Sequence, residues 1–323
     1  MSNAEKKALV IGAAGFVGPY LVQAIHDDLH ADVIATKLGH ETLVFEESGN
    51  YTTTVENLDI MNQEEIESIL KKYQPDYVFH LAAQSSVAYS WKNPGLTVDI
   101  NIKGALNVLD AIRTMEKQPK VLIIGSGEEY GHIRPEAVPV SEEEVLHPGN
   151  IYAATKACQN MIGSIYTKAY GMNLVMTRSF NHMGPAQRPT FVVADFCRQA
   201  ARIEQGLLDP VIHVGNLEAK RDFTDVRDVV HGYTALIEQG KPGETYNVGT
   251  GHAYKIRDIL DKIIAQSTAE ITVEVEQARL RPVDVPIIEP DMTKTFAVSD
   301  WRPQISLETT IGDMLAYWRT HED

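Results

Sequence analysis

The sequence predicts an α/β protein with a doubly wound parallel sheet and a smaller C-terminal α/β lobe that binds substrate. Along its first half, short continuous apolar segments alternate with amphipathic helical segments. Apolar strands of this kind are typical of a parallel sheet that helices cover on both faces. A glycine-rich turn follows the first strand, and 323 residues suffice for one large unit or two interdependent lobes.

The alternation starts with the apolar segment KALVIG over 7–12, after which apolar residues recur at helical spacing over 16–25. This pattern predicts a strand, a turn and a helix. Further strands are expected at 33–36, 77–81, 121–124 and 174–177, and further helices at 64–73, 104–115 and 152–170.

We expect two lobes, with the first over 5–180 and the second mainly over 181–323. The second part is interrupted by frequent proline and glycine, and no long linker precedes it, so some later segments are expected to return to the first sheet. Basic residues concentrate around this second lobe, at Arg178, Arg188, Lys220, Arg221, Arg227, Arg279 and Arg281.

The charge balance argues against two classes of partner. The chain has 29 Lys and Arg against 44 Asp and Glu, a formal net charge of −15, which repels nucleic acid and anionic membranes. No apolar run approaches the roughly 20 residues that span a bilayer, and the chain begins with polar residues, so a cytoplasmic protein is expected. Cys158 and Cys197 lie outside any metal-binding or disulfide pattern, so no metal is expected.

The turn GAAGFVG places Gly12, Gly15 and Gly18 between the first strand and the first helix. Glycines let the backbone approach a pyrophosphate, and a helix N-terminus offers N–H groups and the positive end of its dipole. The turn therefore predicts a Rossmann-type dinucleotide site that includes Phe16 and Val17. A turn that serves only helix-to-strand packing is the alternative.

Residues after the second and third strands bear on the choice of cofactor. Thr36 and Lys37 stand near the position where an acidic residue would select NAD, so a 2′-phosphate can be accepted and NADP is favoured. Lys37 is otherwise a solvated loop lysine, and NAD stays possible. Asp59, followed by Ile60, can accept a hydrogen bond from the adenine amino group, or it can cap its own loop.

Tyr152 and Lys156 form YAATK at the start of the predicted helix 152–170. Their spacing puts both side chains on one face, where the ammonium is expected to lower the pKa of the phenol. A tyrosine tuned in this way can exchange a proton with a sugar oxygen. Ser126, in GSGEEYG, follows the strand 121–124, where its hydroxyl can bond a substrate oxygen beside the tyrosine.

The motifs GAAGFVG, HLAAQSSV, GSGEEYG and YAATK, in this order, resemble those of the extended short-chain dehydrogenase/reductase family over nearly the whole chain. The resemblance implies that Ser126, Tyr152 and Lys156 are the catalytic triad. It also implies that Leu81, Ala82 and Ala83 pass beneath an NAD(P) cofactor. A homodimer is a further implication, formed through the face of helix 152–170 that lies away from the triad.

The second lobe of this family binds nucleotide diphosphate sugars, and RSFNHMGP resembles the segment whose asparagine, here Asn181, contacts the diphosphate. Arg221 in EAKRDFTD and Arg281 in RLRPVDVP are expected to converge on the phosphates, because guanidinium groups present paired donors to phosphate oxygens. Gly127 and Asp284 complete the residues expected at the substrate.

The tract GNLEAKRDFTDVRDVV resembles the branch of the family that acts on GDP-mannose derivatives. The implied activity is reduction of the C4 ketone of GDP-4-dehydro-6-deoxy-D-mannose to GDP-D-rhamnose with NAD(P)H. A GDP-mannose 4,6-dehydratase, a nucleotide-sugar 4-epimerase and a non-catalytic NAD(P)-binding protein are the alternatives. Glu128 stands where dehydratases have a glutamate, but Gly127 replaces its functional neighbour, so Glu128 either orients the keto sugar or is structural.

Overall fold

The computed structural model describes residues 6–44, 51–279 and 285–321. The described strands are β1 (Lys6–Ile11), β2 (Ala31–Lys37), β3 (Thr53–Asn57), β4 (Tyr77–His80), β5 (Lys120–Ile123), β6 (Leu174–Ser179), β7 (Asn181–Met183), β8 (Val211–Val214), β9 (Lys220–Asp225), β10 (Thr245–Val248), β11 (Ala253–Lys255), β12 (Thr272–Val275) and β13 (Ile287–Ile288). The described α-helices are α1 (Gly18–Ala24), α2 (Gln63–Tyr73), α3 (Val87–Lys92), α4 (Pro94–Val98), α5 (Ala105–Arg113), α6 (Ile151–Tyr170), α7 (Val192–Glu204), α8 (Val226–Gln239), α9 (Ile256–Ala265), α10 (Thr293–Val298) and α11 (Leu307–Thr320).

The main sheet has the strand order β10-β6-β5-β4-β1-β2-β3, and its neighbouring strands are parallel. The predicted doubly wound parallel sheet is therefore confirmed. The strand order reverses at β1, because β2 and β3 lie to one side of it and β4, β5 and β6 to the other. Open parallel sheets bind ligands at the carboxyl ends of the strands beside such a reversal.

Alternate residues of β1 enter separate cores on opposite faces of the main sheet. Ala8 and Val10 pack with α1 and α8 on one face, whereas Leu9 and Ile11 pack with α2 and α5 on the other. All four side chains are at most 1% exposed. This two-sided burial explains why the strand reads as a continuous apolar run.

The second part of the chain forms its own core, where α7, α9 and α11 pack around β8. Strand β9 pairs with β7, β11 and β13 in a small mixed sheet. Strand β10, however, lies beside β6 in the main sheet. Among the described residues, none of the helices has the length and apolar character that crossing a membrane requires.

The helix expected at 104–115 is preceded by helical turns that the apolar pattern did not predict. Both α3 and α4 precede it, and the π-helical segment Asp99–Gly104 joins α4 to α5. Trp91 of α3 is 64% exposed and Leu96 of α4 is 47% exposed. Apolar residues therefore do not mark the buried face of these helices, which removes the periodic signal.

Candidate active site

In the glycine turn, Gly12 and Gly18 pack closely against neighbouring backbone atoms, whereas Gly15 has free space beside it. A Cβ at Gly12, whose φ is +87°, would lie 2.7 Å from the Ala82 Cα. A Cβ at Gly18 would lie 1.8 Å from the Ala13 carbonyl oxygen. At the exposed Gly15, the nearest atom would be 3.6 Å away. The turn thus leaves space at the start of α1, which fits a pyrophosphate.

The segment after β4 lies beside this turn, where the family resemblance expects it. The backbone N–H groups of Leu81 and Ala82 both donate to the Ile11 carbonyl, at 3.0 and 2.8 Å. Ala83 follows, and all three residues of the segment are half-buried. The segment 81–83 and the glycine turn therefore form neighbouring walls of the crevice at the strand reversal.

The Thr36 hydroxyl is used within the protein, and a role of Thr36 at the cofactor stays a prediction. The side chain is 1% exposed. Its oxygen accepts from the Gly12 N–H at 3.2 Å, and its hydroxyl donates to the Val10 carbonyl at 3.2 Å. Thr36 therefore holds the glycine turn. Lys37, the next residue, directs its Nζ to the carbonyl oxygens of the two following residues, at 3.4 and 3.3 Å.

Asp59 and Ile60 form the turn that follows β3. The Asp59 carboxylate accepts from the Met61 N–H at 2.9 Å, which is the loop-capping geometry. Asp59 is nevertheless exposed, whereas Ile60 is buried. A contact of either residue with adenine stays a prediction.

Phe16 connects the glycine turn to the second part of the chain. Its ring lies parallel to that of His182 on β7, with centroids 6.1 Å apart and an interplanar angle of 6°. Burial lowers the pKa of His182, so this imidazole is neutral at neutral pH. Val17, beside Phe16, packs against the core beneath α1.

Ser126 and Tyr152 are brought together where β5 ends and α6 begins, close enough for the Ser126 side chain to lower the pKa of Tyr152. Burial raises the pKa of Tyr152 to about 12, and the interaction with Ser126 offsets only part of this rise. The prediction of a lowered Tyr152 pKa is therefore wrong, because desolvation outweighs the interaction with Ser126. The phenol consequently keeps its proton at neutral pH.

Lys156 lies one turn further along α6 and is 3% exposed. Its Nζ donates to the Ile124 carbonyl at 2.7 Å and to Gln159 Oε1 at 3.0 Å. Burial lowers the pKa of Lys156 to about 8, with a partly compensating attraction from Glu129. His80, at the end of β4, is also buried, and burial with the nearby lysine charge lowers its pKa to about 3.

Glu128 is attached to the first turn of α6. The N-cap residue Asn150 accepts from the Ala153 N–H at 2.8 Å and donates through Nδ2 to Glu128 Oε2 at 3.3 Å. Glu128 is half-buried, and its charge raises the pKa of Tyr152. The carboxylate is therefore close enough to Tyr152 to act on it electrostatically.

Gly127 packs against an aromatic ring. A Cβ at Gly127 would lie 3.1 Å from Phe180 Cδ1, tighter than ordinary van der Waals contact. Phe180 is itself 4% exposed and packs on Tyr130, with ring centroids 6.1 Å apart. A side chain at position 127 therefore requires the Phe180 ring to shift.

The residues expected at the substrate diphosphate are only partly described. The exposed Asn181 donates through Nδ2 to the Asp222 carbonyl at 3.2 Å. Arg221, on the neighbouring β9, is half-exposed and donates to the preceding carbonyl at 2.8 Å. Arg281 and Asp284 lie outside the described residues, so the convergence of the two arginines stays a prediction.

Three of the basic residues that concentrate around the second lobe bind carboxylates of the protein. The pairs are Arg178 with Glu129 at 3.2 Å, Arg227 with Asp225 at 2.7 Å and Arg279 with Asp195 at 2.6 Å. These arginines are structural in the protein as described.

Polar side chains that support the triad were missed at the level of sequence. They are Glu129, Asn150, Gln159 and Asn160. The available signal was their spacing, because Gln159 and Asn160 follow Lys156 by three and four residues and so lie on its side of α6. Asn150 also precedes the helix at the position that an N-cap residue occupies.

The fold, the glycine turn and the paired serine and tyrosine define an extended short-chain dehydrogenase/reductase. Within this class, the chain belongs to the GDP-mannose 4,6 dehydratase family, whose model matches residues 9–314.

Individual relatives include both reductases and dehydratases. The GDP-6-deoxy-D-mannose reductase of Pseudomonas aeruginosa is 32% identical over 246 residues, covering 76% of this chain and 81% of that protein. The GDP-mannose 4,6 dehydratase of Dictyostelium discoideum is 27% identical, covering 98% of this chain and 96% of that protein.

Solved structures of a similar fold also include different enzymes of this class. The structure of RMD from Pseudomonas aeruginosa complexed with NADPH matches with a TM-score of 0.85 and 29% identity, over 98% of this chain and 99% of that chain. The UDP-glucose 4-epimerase of Thermotoga maritima with UDP-glucose matches with a TM-score of 0.83 and 29% identity, over 97% and 98% of the two chains.

Proposed function

We propose that this protein reduces the C4 ketone of GDP-4-dehydro-6-deoxy-D-mannose to GDP-D-rhamnose, with NADPH as the reductant. The observation that carries the proposal is the placement of Ser126 next to Tyr152 and Lys156, in a chain similar to a GDP-6-deoxy-D-mannose reductase. We place the reaction in the cytoplasm, with no role for nucleic acid or membranes, as the charge predicts.

In this reaction, Tyr152 donates its phenolic proton to the oxygen that forms at C4 of the sugar. Bound NADPH would supply the hydride that adds to the same carbon. Ser126 donates a hydrogen bond to the ketone oxygen, where negative charge develops. Because its pKa is near 12, Tyr152 is protonated at neutral pH, as a proton donor must be.

Lys156 supports the proton transfer in two ways. Its ammonium is expected to hold the ribose of the cofactor next to the nicotinamide. It also offsets the negative charge of Tyr152 after the phenol has given up its proton, until solvent returns one.

The residues present fit a dinucleotide phosphate. The open space beside Gly15 accepts the pyrophosphate, and the half-exposed Lys37 at the end of β2 is the expected partner of the 2′-phosphate. The NADPH in the similar RMD structure supports this assignment over NAD. On the substrate side, Asn181 and Arg221 take the diphosphate, with Arg281 and Asp284 by sequence.

The second candidate is a GDP-mannose 4,6-dehydratase, which the retained Glu128 and the dehydratase relatives favour. Gly127 argues against it, because glycine has no group to assist loss of the C6 hydroxyl and Phe180 fills the adjacent space. A 4-epimerase is a third use of the same scaffold.

We also propose a homodimer formed through α6. Met161 and Ile165 are 56% and 59% exposed, and Met161 lies nine residues after Tyr152, which is about half a revolution around the helix. Trp91 and Leu96 are exposed on α3 and α4, which pack against α6.

The test supplies the purified protein with NADPH and with the keto sugar that a separate dehydratase makes from GDP-mannose. We expect NADPH consumption and a product identified as GDP-D-rhamnose by mass and proton NMR. In parallel, the protein receives GDP-mannose alone, without reductant. Keto sugar formed in this second reaction would replace the reductase proposal by the dehydratase one.

A further inference from the structure

A second glutamate follows Glu128 in the 3₁₀ turn Gly127–Tyr130, and the proposed reaction gives it no role. Glu129 is completely buried, at 0% exposure. A buried carboxylate is costly unless its oxygens are hydrogen-bonded and its charge is compensated. Hydrogen-bond donors and Arg178 satisfy both conditions for Glu129, although burial still leaves its pKa raised. Ser126 and Asn160 on α6 are among these donors.

Four hydrogen bonds from three parts of the chain end on the Glu129 carboxylate. The Ser126 N–H donates to Oε1 at 2.8 Å. Asn160 Nδ2, on α6, lies 2.9 Å from each oxygen. Arg178 Nε, on β6, donates to Oε2 at 3.2 Å. The carboxylate therefore joins the end of β5 to the helix that carries Tyr152.

The absence of a side chain at Gly125 leaves the space that Glu129 and Asn160 occupy. A Cβ at Gly125 would lie 2.4 Å from Glu129 Oε1 and 2.5 Å from Asn160 Nδ2. Only glycine leaves this space without displacing either group. Ser126 is in turn the N-cap of the 3₁₀ turn, and its Oγ accepts from the Glu128 N–H at 3.2 Å. The position of the Ser126 side chain thus depends on the turn that Glu129 anchors.

The charge of Glu129 also reaches the reacting groups. It raises the pKa of Tyr152 and the pKa of Lys156. Replacing a buried ion pair by apolar residues often costs little stability. The stability of the fold is therefore a weak reason for an acidic residue at this position, and its contacts with Ser126 and α6 offer a stronger one.

We propose that Glu129 is a positioning residue whose carboxylate fixes the Ser126 hydroxyl beside the Tyr152 phenol and holds α6 in place through Asn160. The inference rests on the proposed reduction, because it assigns Ser126, Tyr152 and Lys156 their roles there. It adds a residue that touches neither substrate nor cofactor and acts through Ser126 and α6.

The main test is Glu129→Gln, which keeps the size of the side chain but turns one acceptor into a donor that faces Asn160 or Arg178. We expect kcat for keto-sugar reduction to fall about 10- to 100-fold, as misplaced reacting groups do. KM for both substrates should stay within about threefold of the original protein, because the binding residues are untouched. The alkaline limb of the pH profile should move to lower pH, because the lost charge no longer raises the pKa of Lys156.

The matched control is Glu142→Gln. Glu142 is a second partly buried carboxylate of the same network, since Arg178 donates to its backbone carbonyl at 3.0 Å and its Oε1 accepts from the Asn247 N–H at 2.7 Å. Neither of these contacts involves Ser126 or α6. The midpoint temperature of thermal unfolding should fall in both variants, whereas kcat and the alkaline limb of the pH profile should change only in Glu129→Gln. Equal changes in both would assign Glu129 a structural role.

Two further variants keep the inference testable if Glu129→Gln fails to fold. Glu129→Asp retains the charge with a shorter reach, so kcat should fall while the pH limb stays in place. Asn160→Ala removes the link to α6 and should have the same effect. Unchanged kcat in both variants overturns the inference.

A crystal structure of Glu129→Asp without cofactor gives a readout that needs no activity. We expect the Ser126 Oγ to lie further from the Tyr152 hydroxyl than in the original protein. An unmoved Ser126 overturns the inference even if the original protein reduces the keto sugar. An original protein that is inactive on the keto sugar overturns the proposed function instead, and the displacement of Ser126 still tests Glu129.

Discussion

At the scale of single residues, burial shifts the pKa values of the two helix residues of the triad in opposite directions. It raises the pKa of Tyr152 to about 12 and lowers the pKa of Lys156 to about 8. Both shifts have one cause, because a low dielectric disfavours the charged form of either group. The Tyr152 phenol therefore stays protonated at neutral pH, and Lys156 is the group whose charge changes near neutral pH.

The first prediction concerns the alkaline side of the pH profile. The ammonium of Lys156 is present below its pKa and is lost above it, so kcat/KM for NADPH should fall as pH rises through about 8. Lys156→Arg keeps a positive charge at every accessible pH, so its limb should move to higher pH although its rate is lower. Initial rates between pH 6 and about 10 measure both limbs. An unmoved limb in Lys156→Arg would exclude Lys156 as its source.

The second prediction concerns Lys37. Its ammonium lies at the end of β2, beside the expected 2′-phosphate, so Lys37→Glu should lower the NADPH-to-NADH ratio of kcat/KM by about tenfold or more, since a favourable charge becomes a repulsive one. Lys241→Glu is the control, because the exposed Lys241 precedes β10 at the opposite edge of the main sheet. If the two variants had the same NADPH-to-NADH ratio of kcat/KM, Lys37 would have no part in cofactor choice.

At the scale of elements, different glycines of the turn between β1 and α1 serve the packing of the fold and the binding of a ligand. The space for a Cβ at Gly18 is filled by the Ala13 backbone, whereas the space at Gly15 is open. Two glycines of one motif therefore serve different purposes. One lets the helix pack closely on its own turn, and the other leaves room for a ligand.

The third prediction uses this contrast. Gly18→Ala should destabilise the fold by about 2 to 3 kcal/mol, because the rigid Ala13 carbonyl cannot move aside. Gly15→Ala should leave the midpoint temperature of thermal unfolding nearly unchanged. It should raise Kd for NADPH about tenfold or more, because its methyl group occupies the space for the pyrophosphate. Calorimetric unfolding and fluorescence titration with NADPH measure the two effects. Equal NADPH affinity in Gly15→Ala and the original protein would contradict the placement of the pyrophosphate.

Sequence motifs predicted the elements whose signals are local. The apolar run of β1, the glycine turn and the pairing of Ser126 with Tyr152 all follow from contiguous residues or from a familiar order of motifs. The Glu129 junction could not be predicted, because it joins Asn160 and Arg178 from separate elements. The bonds of the Thr36 hydroxyl to the glycine turn could not be predicted for the same reason, since they depend on the pairing of β1 with β2.

At the scale of the whole molecule, α6 has two faces with different surroundings. One face buries Tyr152 and Lys156 against the main sheet, and the other exposes Met161 and Ile165. Exposed apolar side chains on one helix face, with others on the helices packed beside it, are typical of an interface between proteins. A second copy of the same face would make the contact isologous, as in most homodimers.

The fourth prediction is that Ile165→Glu converts a dimer into a monomer. The substitution places a charge at the centre of the proposed interface, where it would lose its hydration without gaining a partner. Val275→Glu is the control, because Val275 on β12 is 56% exposed, close to the 59% of Ile165, and lies in the second part of the chain. Sedimentation equilibrium at micromolar concentration should give the mass of one chain for Ile165→Glu and of two chains for Val275→Glu. Because Tyr152 faces the other way, NADPH binding should survive in the monomer and show that it is folded. A dimeric Ile165→Glu would move the interface away from α6, and a monomeric original protein would remove the dimer altogether.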